Sequence, residues 1–73
     1  MNLTFDERML MTIYNTGTRR GTIDNLKNMR ICISQDETYL RGLTDAVLSK
    51  LDLMTEKKFE DAIFKGLEDL NAD

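Results

Sequence analysis

The 73-residue sequence has no histidine, no tryptophan, no proline and a single cysteine, and these absences exclude several classes of function. Without imidazole there is no histidine-dependent catalytic triad or dyad and no zinc site with histidine ligands. One thiol cannot form a disulfide within the chain, so we expect a reducing compartment. The N-terminus lacks the basic start and apolar block of a signal peptide, and no apolar run is long enough to cross a bilayer. We therefore expect a cytoplasmic protein with no membrane segment.

Length and composition are typical of one folded domain, and we treat residues 1–73 as a single domain. Hydrophobic residues make up 41% of the sequence and charged residues 32%. The net charge of −3 is unevenly distributed, because residues 1–35 have a net charge of +2 and residues 36–73 a net charge of −5. Such a distribution indicates either a polar binding surface or two ordinary solvated faces.

Helix caps and the spacing of apolar residues predict an all-α fold with no sheet, a compact bundle of three to four short helices. Thr4 and Glu7 have the spacing of a capping box, and Gly17 is a typical residue just beyond a helix end. The second helix begins after Thr18 or, as an alternative, after Thr22. The predicted helices span residues 5–15, 19–30, 36–51 and 56–70.

Apolar residues recur at helical spacing in three of these segments, which predicts amphipathic helices. In the first segment they are Phe5, Met9 and Ile13. In the third they are Leu40, Leu43, Val47 and Leu51. In the fourth they are Phe59, Ile63, Leu67 and Leu70.

Two further features of the sequence lie between the second and third predicted helices and inside the third. The β-branched run Ile31-Cys32-Ile33 has no partner strand, and we interpret it as a buried connector. Gly42, inside the third helix, either marks the close approach of a neighbouring helix or is simply tolerated there.

No set of residues forms a recognisable catalytic, metal or cofactor site, and we predict a protein that is not an enzyme. The carboxylates lie at predicted helix starts or on solvated faces, where general acid–base chemistry is not expected. Cys32 has an apolar setting that favours a buried, unreactive thiol. Phosphate-binding and calcium-binding loops are both missing from the sequence, so we expect no cofactor.

Basic residues of the second predicted helix are the candidate contacts to DNA or another anion. A helix, a turn containing glycine and a basic helix have the outline of a helix-turn-helix motif. The candidate residues are Arg19, Arg20, Lys27 and Arg30. The acidic overall composition disfavours this interpretation, because affinity for DNA normally requires several neutralised phosphates. The alternative is a set of ordinary solvated side chains.

Aromatic residues outside the apolar stripes are the candidate contacts to a protein partner. Tyr14 and Phe64, together with five methionines, would provide an adaptable apolar surface. Alternatively, they are the half-exposed apolar side chains that every small domain has. The sequence leaves the oligomeric state open.

Several short segments occur in a characteristic order and spacing along most of the chain. They are Leu3-Thr4-Phe5-Asp6-Glu7, Ile13-Tyr14-Asn15-Thr16, Thr18-Arg19 leading to Ile23 and Leu26, Asp36-Glu37, Leu48-Ser49-Lys50-Leu51, and Met54-Thr55-Glu56 followed by Phe59. In this ordered set, over about residues 3–64, the sequence resembles the transposon-transfer assisting protein family, small bacterial proteins encoded within conjugative transposons and related integrated elements.

The resemblance implies a compact helical fold and a role in assisting the transfer of a mobile genetic element. It supplies no catalytic residue and no ligand. We hypothesise a non-enzymatic accessory protein that binds a protein partner of the transfer machinery and no membrane. The alternative is a small helix-turn-helix-like DNA-binding regulator that uses the basic second helix.

Overall fold

The computed structural model describes residues 2–71, which form four α-helices and no β-strand. The helices are α1 (Phe5–Ile13), α2 (Arg19–Cys32), α3 (Thr38–Leu53) and α4 (Glu56–Asn71). α1 packs against both α3 and α4, and α2 packs against α3. For the described residues the structure thus confirms the all-α bundle, with a packing order of α4, α1, α3 and α2.

α1 begins at the capping box that the sequence predicts. The Thr4 hydroxyl accepts a hydrogen bond from the Glu7 amide (3.1 Å), and the Glu7 carboxylate accepts one from the Thr4 amide (2.8 Å). These bonds satisfy two amides that have no partner inside the helix. The helix ends at Ile13, two residues before its predicted end, where the Asn15 amide donates to the Thr12 carbonyl in a tighter turn.

α2 begins after Thr18, whose hydroxyl accepts a hydrogen bond from the Gly21 amide at 3.0 Å. Gly17 precedes it with a φ of 102°, a left-handed conformation that favours glycine. The alternative start at Thr22 is wrong. Thr22 is buried inside the helix, where its hydroxyl donates to the Thr18 carbonyl (2.7 Å) and accepts from the Thr16 amide (3.2 Å).

The prediction of a buried connector at Ile31-Cys32-Ile33 is wrong. Ile31 and Cys32 belong to α2, and both are exposed, Ile31 by 81%. Ile31 follows the exposed Lys27 by four residues, so continuing the helix places both side chains on its solvent side. The chain leaves the helix only at Ile33, which is extended and half-buried.

α3 is displaced by two residues toward the C-terminus relative to the prediction. Residues 34–37 form a turn, in which the Ser34 hydroxyl accepts from the Asp36 amide and the Ser34 carbonyl accepts from the Glu37 amide. The acidic pair therefore precedes the helix, and the Glu37 side chain caps no amide. α4 begins as predicted, because the Thr55 hydroxyl accepts from the Lys58 amide at 3.1 Å.

The hydrophobic core draws residues from all four helices. Its buried apolar members are Leu10, Met11, Ile23, Leu26, Val47, Leu51, Phe59 and Ile63. In α1 the core side is formed by Leu10 and Met11, whereas Phe5 and Ile13 of the predicted stripe are exposed. In α4 the stripe is buried only in its first half, since Leu67 and Leu70 are about half exposed, at 46% and 51%.

A glycine in α4 sets how closely α4 approaches α1. A Cβ atom on Gly66 would lie 1.9 Å from the Thr12 hydroxyl oxygen and 3.0 Å from the Thr12 Cβ. The Thr12 hydroxyl in turn donates to the Arg8 carbonyl at 2.7 Å. A Cβ atom on Gly42, by contrast, would have no neighbouring atom within 4 Å, so of the two interpretations of Gly42 the tolerated glycine is correct.

Candidate functional site

Two of the four predicted anion contacts, Arg19 and Arg30, form ion pairs between helices. Arg19 donates to Glu56 at 2.7 Å and to the Leu51 carbonyl at 2.8 Å, and so connects α2 to the start of α4 and to the last turn of α3. Arg30 donates two hydrogen bonds to Asp45 of α3, at 2.8 and 3.1 Å. The bond from Arg30 lowers the pKa of the Asp45 carboxyl. Both arginines have clear structural roles.

The other two candidates, Arg20 and Lys27, are exposed on α2. Since they are seven residues apart, they lie on the same side of the helix. Neither forms an ion pair with any residue between 2 and 71. Asp24 lies on the same side between them, so this surface has two cations and one carboxylate. The structure therefore groups two, and not four, of the predicted basic residues as available contacts.

The two aromatic candidates have different environments. Tyr14 is half-buried and packs against the core, and its carbonyl accepts a hydrogen bond from the Asn25 side chain at 3.0 Å. Phe64 is 68% exposed on α4. It lines a shallow groove of about 230 Å³ between α4 and the segment that joins α1 to α2, whose other lining residues are Asn15, Gly17, Phe59, Glu60, Ile63 and Leu67. Of the two residues, only Phe64 presents a large apolar surface to solvent.

Phe64 is the first of three exposed apolar residues on α4, which we call the Phe64 surface and define as Phe64, Leu67 and Leu70. They follow one another at intervals of three residues, which places them along one side of the helix. They remain exposed because α1 approaches α4 through Gly66 and Asp69, to which Arg8 is paired at 2.9 Å. The sequence places Phe64 outside the apolar stripe of α4 and Leu67 and Leu70 within it, but it does not show that α1 leaves these last two residues uncovered.

A larger cleft, of about 640 Å³, lies on another side of α4, between α4, the end of α3 and the N-terminal segment. We call it the α4 cleft. Its apolar lining consists of Leu3, Leu53, Met54 and Ala62, and its charged lining of Arg8, Lys58, Asp61 and Lys65. This cleft was not predicted from the sequence, although the spacing of Lys58, Ala62 and Lys65 on one helix side is a signal for it.

One wall of the α4 cleft is the N-terminal segment, which Lys50 of α3 holds in place. The Lys50 ammonium donates to the Asn2 carbonyl at 2.9 Å and to the Glu7 carboxylate at 2.6 Å. Burial raises the pKa of the Glu7 carboxyl, but the hydrogen bonds from Lys50 and the Thr4 amide outweigh it, and the net pKa is lowered. The ionised Glu7 therefore positions both the start of α1 and the segment before it.

Glu7 is the buried carboxylate of the described chain, and both of its hydrogen-bond donors have structural roles. Residues 2–71 contain no group of three or more acidic or cysteine side chains placed to hold a metal ion. None of the described helices has the length and apolar character needed to cross a bilayer.

The family described as "Putative transposon-transfer assisting protein" matches this chain over residues 3–65. The matched range contains α1, α2, α3 and more than half of α4, and with them the segments on which the sequence resemblance depends. No curated protein and no solved structure matches the chain. Since the family match covers most of the 73 residues, the chain belongs to the transposon-transfer assisting protein family.

Proposed function

We propose that this protein is a non-enzymatic, cytoplasmic accessory protein of a mobile genetic element, and that it assists conjugative transfer by binding a protein of the transfer machinery. The family membership supports the connection with transposon transfer. The observation that supports binding to a protein is the Phe64 surface, where three large apolar side chains lie exposed along one helix.

The composition of the Phe64 surface is that of the central part of a protein interface. Phenylalanine is enriched in such regions, and exposed apolar patches mark contact sites more often than isolated apolar residues do. The groove beside Phe64 adds a concave feature into which a partner side chain can insert. Burying these side chains against a partner would remove apolar area from water and so stabilise a complex.

DNA binding through α2 is the runner-up. A duplex is bound chiefly through phosphate contacts, and each contact made contributes to the dependence of affinity on salt. With Arg19 and Arg30 paired to carboxylates, Arg20 and Lys27 are the remaining candidates on that helix. Two phosphate contacts would support weak, non-specific association, which favours the protein partner as the primary ligand.

A photocrosslinking experiment tests the proposed function. A photoreactive phenylalanine analogue is placed at Phe64 in cells that contain the mobile element, and at Ile31 of α2 as the matched control, because Ile31 is also an exposed apolar residue and is more exposed than Phe64. We expect one defined crosslinked protein from position 64 and none from position 31. The variant Phe64→Ser, which alters only an exposed side chain, should reduce the frequency of element transfer.

Two results would contradict the proposal. One is a crosslinking pattern that is the same at both positions. The other is a normal transfer frequency in Phe64→Ser cells that contain normal amounts of the folded protein.

A further inference from the structure

The α4 cleft has a positive charge balance in a protein whose net charge is −3. Its lining contains Arg8, Lys58 and Lys65 against the single acid Asp61. Arg8 is paired with Asp69, and Asp61 with Lys57. Lys58 and Lys65, in contrast, form no ion pair with any residue in the range 2–71 and are exposed. Two ammonium groups are thus available at the edge of the cleft.

The apolar part of the lining of the same cleft, which we call its floor, consists of Leu3, Leu53, Met54 and Ala62. Leu53, the last residue of α3, is 75% exposed there, although it lies beside the half-buried Met54 and Leu3. A leucine this exposed at the end of a helix loses the stabilisation that burial of its side chain would give. The combination of an apolar floor with two cations at the edge matches a ligand that is apolar in its middle and acidic at its ends.

Contacts within the protein hold two walls of the cleft. The N-terminal wall is held by the bonds from Lys50 to the Asn2 carbonyl and to the Glu7 carboxylate. The α4 wall is held by the close contact between Gly66 and Thr12. A preformed cleft of about 640 Å³ lies within the size range of ligand sites and requires little ordering on binding.

From these features we propose that the α4 cleft binds a short acidic and apolar peptide segment of a partner protein. Lys58 and Lys65 are seven residues apart on α4, which separates their Cα atoms by about 10 Å along the helix axis. In a peptide with the polyproline II conformation, two carboxylates three residues apart have about the same separation, at roughly 3.1 Å per residue, and lie on the same side because this conformation has three residues per turn. The segment therefore has two acids three residues apart, with apolar residues between them that contact Leu53 and Met54.

This inference rests on the proposed function for the existence of a protein partner, but it concerns a different surface. The Phe64 surface and the α4 cleft use different residues of α4. Variants at one surface leave the other intact, so the two proposals can fail separately. The apolar floor favours a peptide over the phosphate backbone of a nucleic acid, which offers no apolar group to Leu53.

The test is a selection of peptides against the folded protein. A phage library of random twelve-residue peptides is selected on the wild-type chain, with counter-selection on the double variant Lys58→Ala/Lys65→Ala. We expect the selected peptides to have two acidic residues flanking leucine or phenylalanine. A labelled copy of the consensus peptide is then titrated by fluorescence anisotropy, beside a copy with glutamine and asparagine in place of its acids.

The variants give the quantitative result. Loss of two charge contacts should weaken binding of the consensus peptide about tenfold in Lys58→Ala/Lys65→Ala. The matched control Arg20→Ala/Lys27→Ala removes the same charge from α2 and should change the affinity less than about twofold. Leu53→Ser should weaken binding, whereas Ile31→Ser, an equally exposed apolar residue on α2, should not.

Three results would overturn the inference. The first is a selection in which no peptide is enriched on the wild-type chain relative to Lys58→Ala/Lys65→Ala. The second is a consensus peptide that has no acidic residue. The third is a labelled DNA duplex that binds through Lys58 and Lys65 more tightly than the peptide does. Peptide binding that is lost in Phe64→Ser but kept in the lysine double variant would also overturn it, while leaving the proposed function intact.

Discussion

Replacing Gly66 by alanine tests how α4 packs against α1. We expect this substitution to lower the stability of the protein, whereas the same substitution in an exposed helix raises it. In an exposed helix, glycine to alanine stabilises by about 1 kcal/mol. At Gly66 the new Cβ would lie 1.9 Å from the Thr12 hydroxyl oxygen, so α4 or Thr12 has to move. Overpacking of this kind costs about 1–3 kcal/mol.

Moving Thr12 has a further consequence, because its hydroxyl donates to the Arg8 carbonyl. A lost hydrogen bond of this type contributes about 1 kcal/mol. The overpacking and the lost bond together exceed the gain in helix propensity, and we expect a net destabilisation of about 2 kcal/mol. In a domain of this size that corresponds to a melting temperature lower by about 10 °C.

The measurement is urea and thermal unfolding followed by circular dichroism. Gly42→Ala is the matched control, since no atom lies within 4 Å of the position of its new Cβ, and we expect it to be as stable as the wild type or more stable. In a Thr12→Ala background the oxygen is missing, so Gly66→Ala should destabilise less. A Gly66→Ala protein as stable as Gly42→Ala would refute the packing argument.

Three further outcomes follow from individual side chains. The folded-state pKa of Glu7 is lowered, so its contribution to stability is fully present above its ordinary pKa of 4.5 and is lost as pH falls through the folded-state pKa. Glu7→Gln should therefore flatten the acid side of a plot of unfolding free energy against pH, and an unchanged profile would contradict the role of Glu7. If α2 binds duplex DNA through Arg20 and Lys27, the logarithm of affinity should fall against the logarithm of salt concentration with a slope of about −1.8, and binding should vanish in the double alanine variant. The Cys32 thiol is exposed, so a thiol reagent should label the native protein within a few-fold of the rate for the urea-unfolded chain, and full protection would place it in a buried environment.

The helix starts were predictable because a cap is a local event. The hydroxyls of Thr4, Thr18 and Thr55 each accept a bond from an amide three residues later, so the sequence contains both partners. The acidic pair Asp36-Glu37 led to a predicted start of α3 that is two residues too early, because acidic residues are common at helix starts. In the structure these two residues belong to the turn that begins at Ser34. Local charge preference was therefore a weaker predictor than a side-chain acceptor with a defined amide donor.

Packing between helices was not predictable, because it depends on where a distant segment lies. Gly42 and Gly66 are both glycines within helices, yet only Gly66 has a neighbour, and that neighbour is fifty-four residues away in the sequence. Likewise, the sequence shows Arg19 and Arg30 as basic but not that Glu56 and Asp45 lie opposite them. Two of the four candidate anion contacts therefore form ion pairs that only the fold reveals.

The position of α4 relates the two candidate surfaces to each other. One side of α4 has the apolar residues Phe64 and Leu67, and another has Lys58 and Lys65. Between them lies Gly66, whose contact with Thr12 fixes how far α4 stands from α1. Because the α4 cleft also requires the end of α3, a shift of α4 changes the cleft, while the Phe64 surface moves with its helix as a unit. A partner that inserts into the α4 cleft or into the groove beside Phe64 would therefore depend on the position of α4, and one that contacts only the side chains of the Phe64 surface would not.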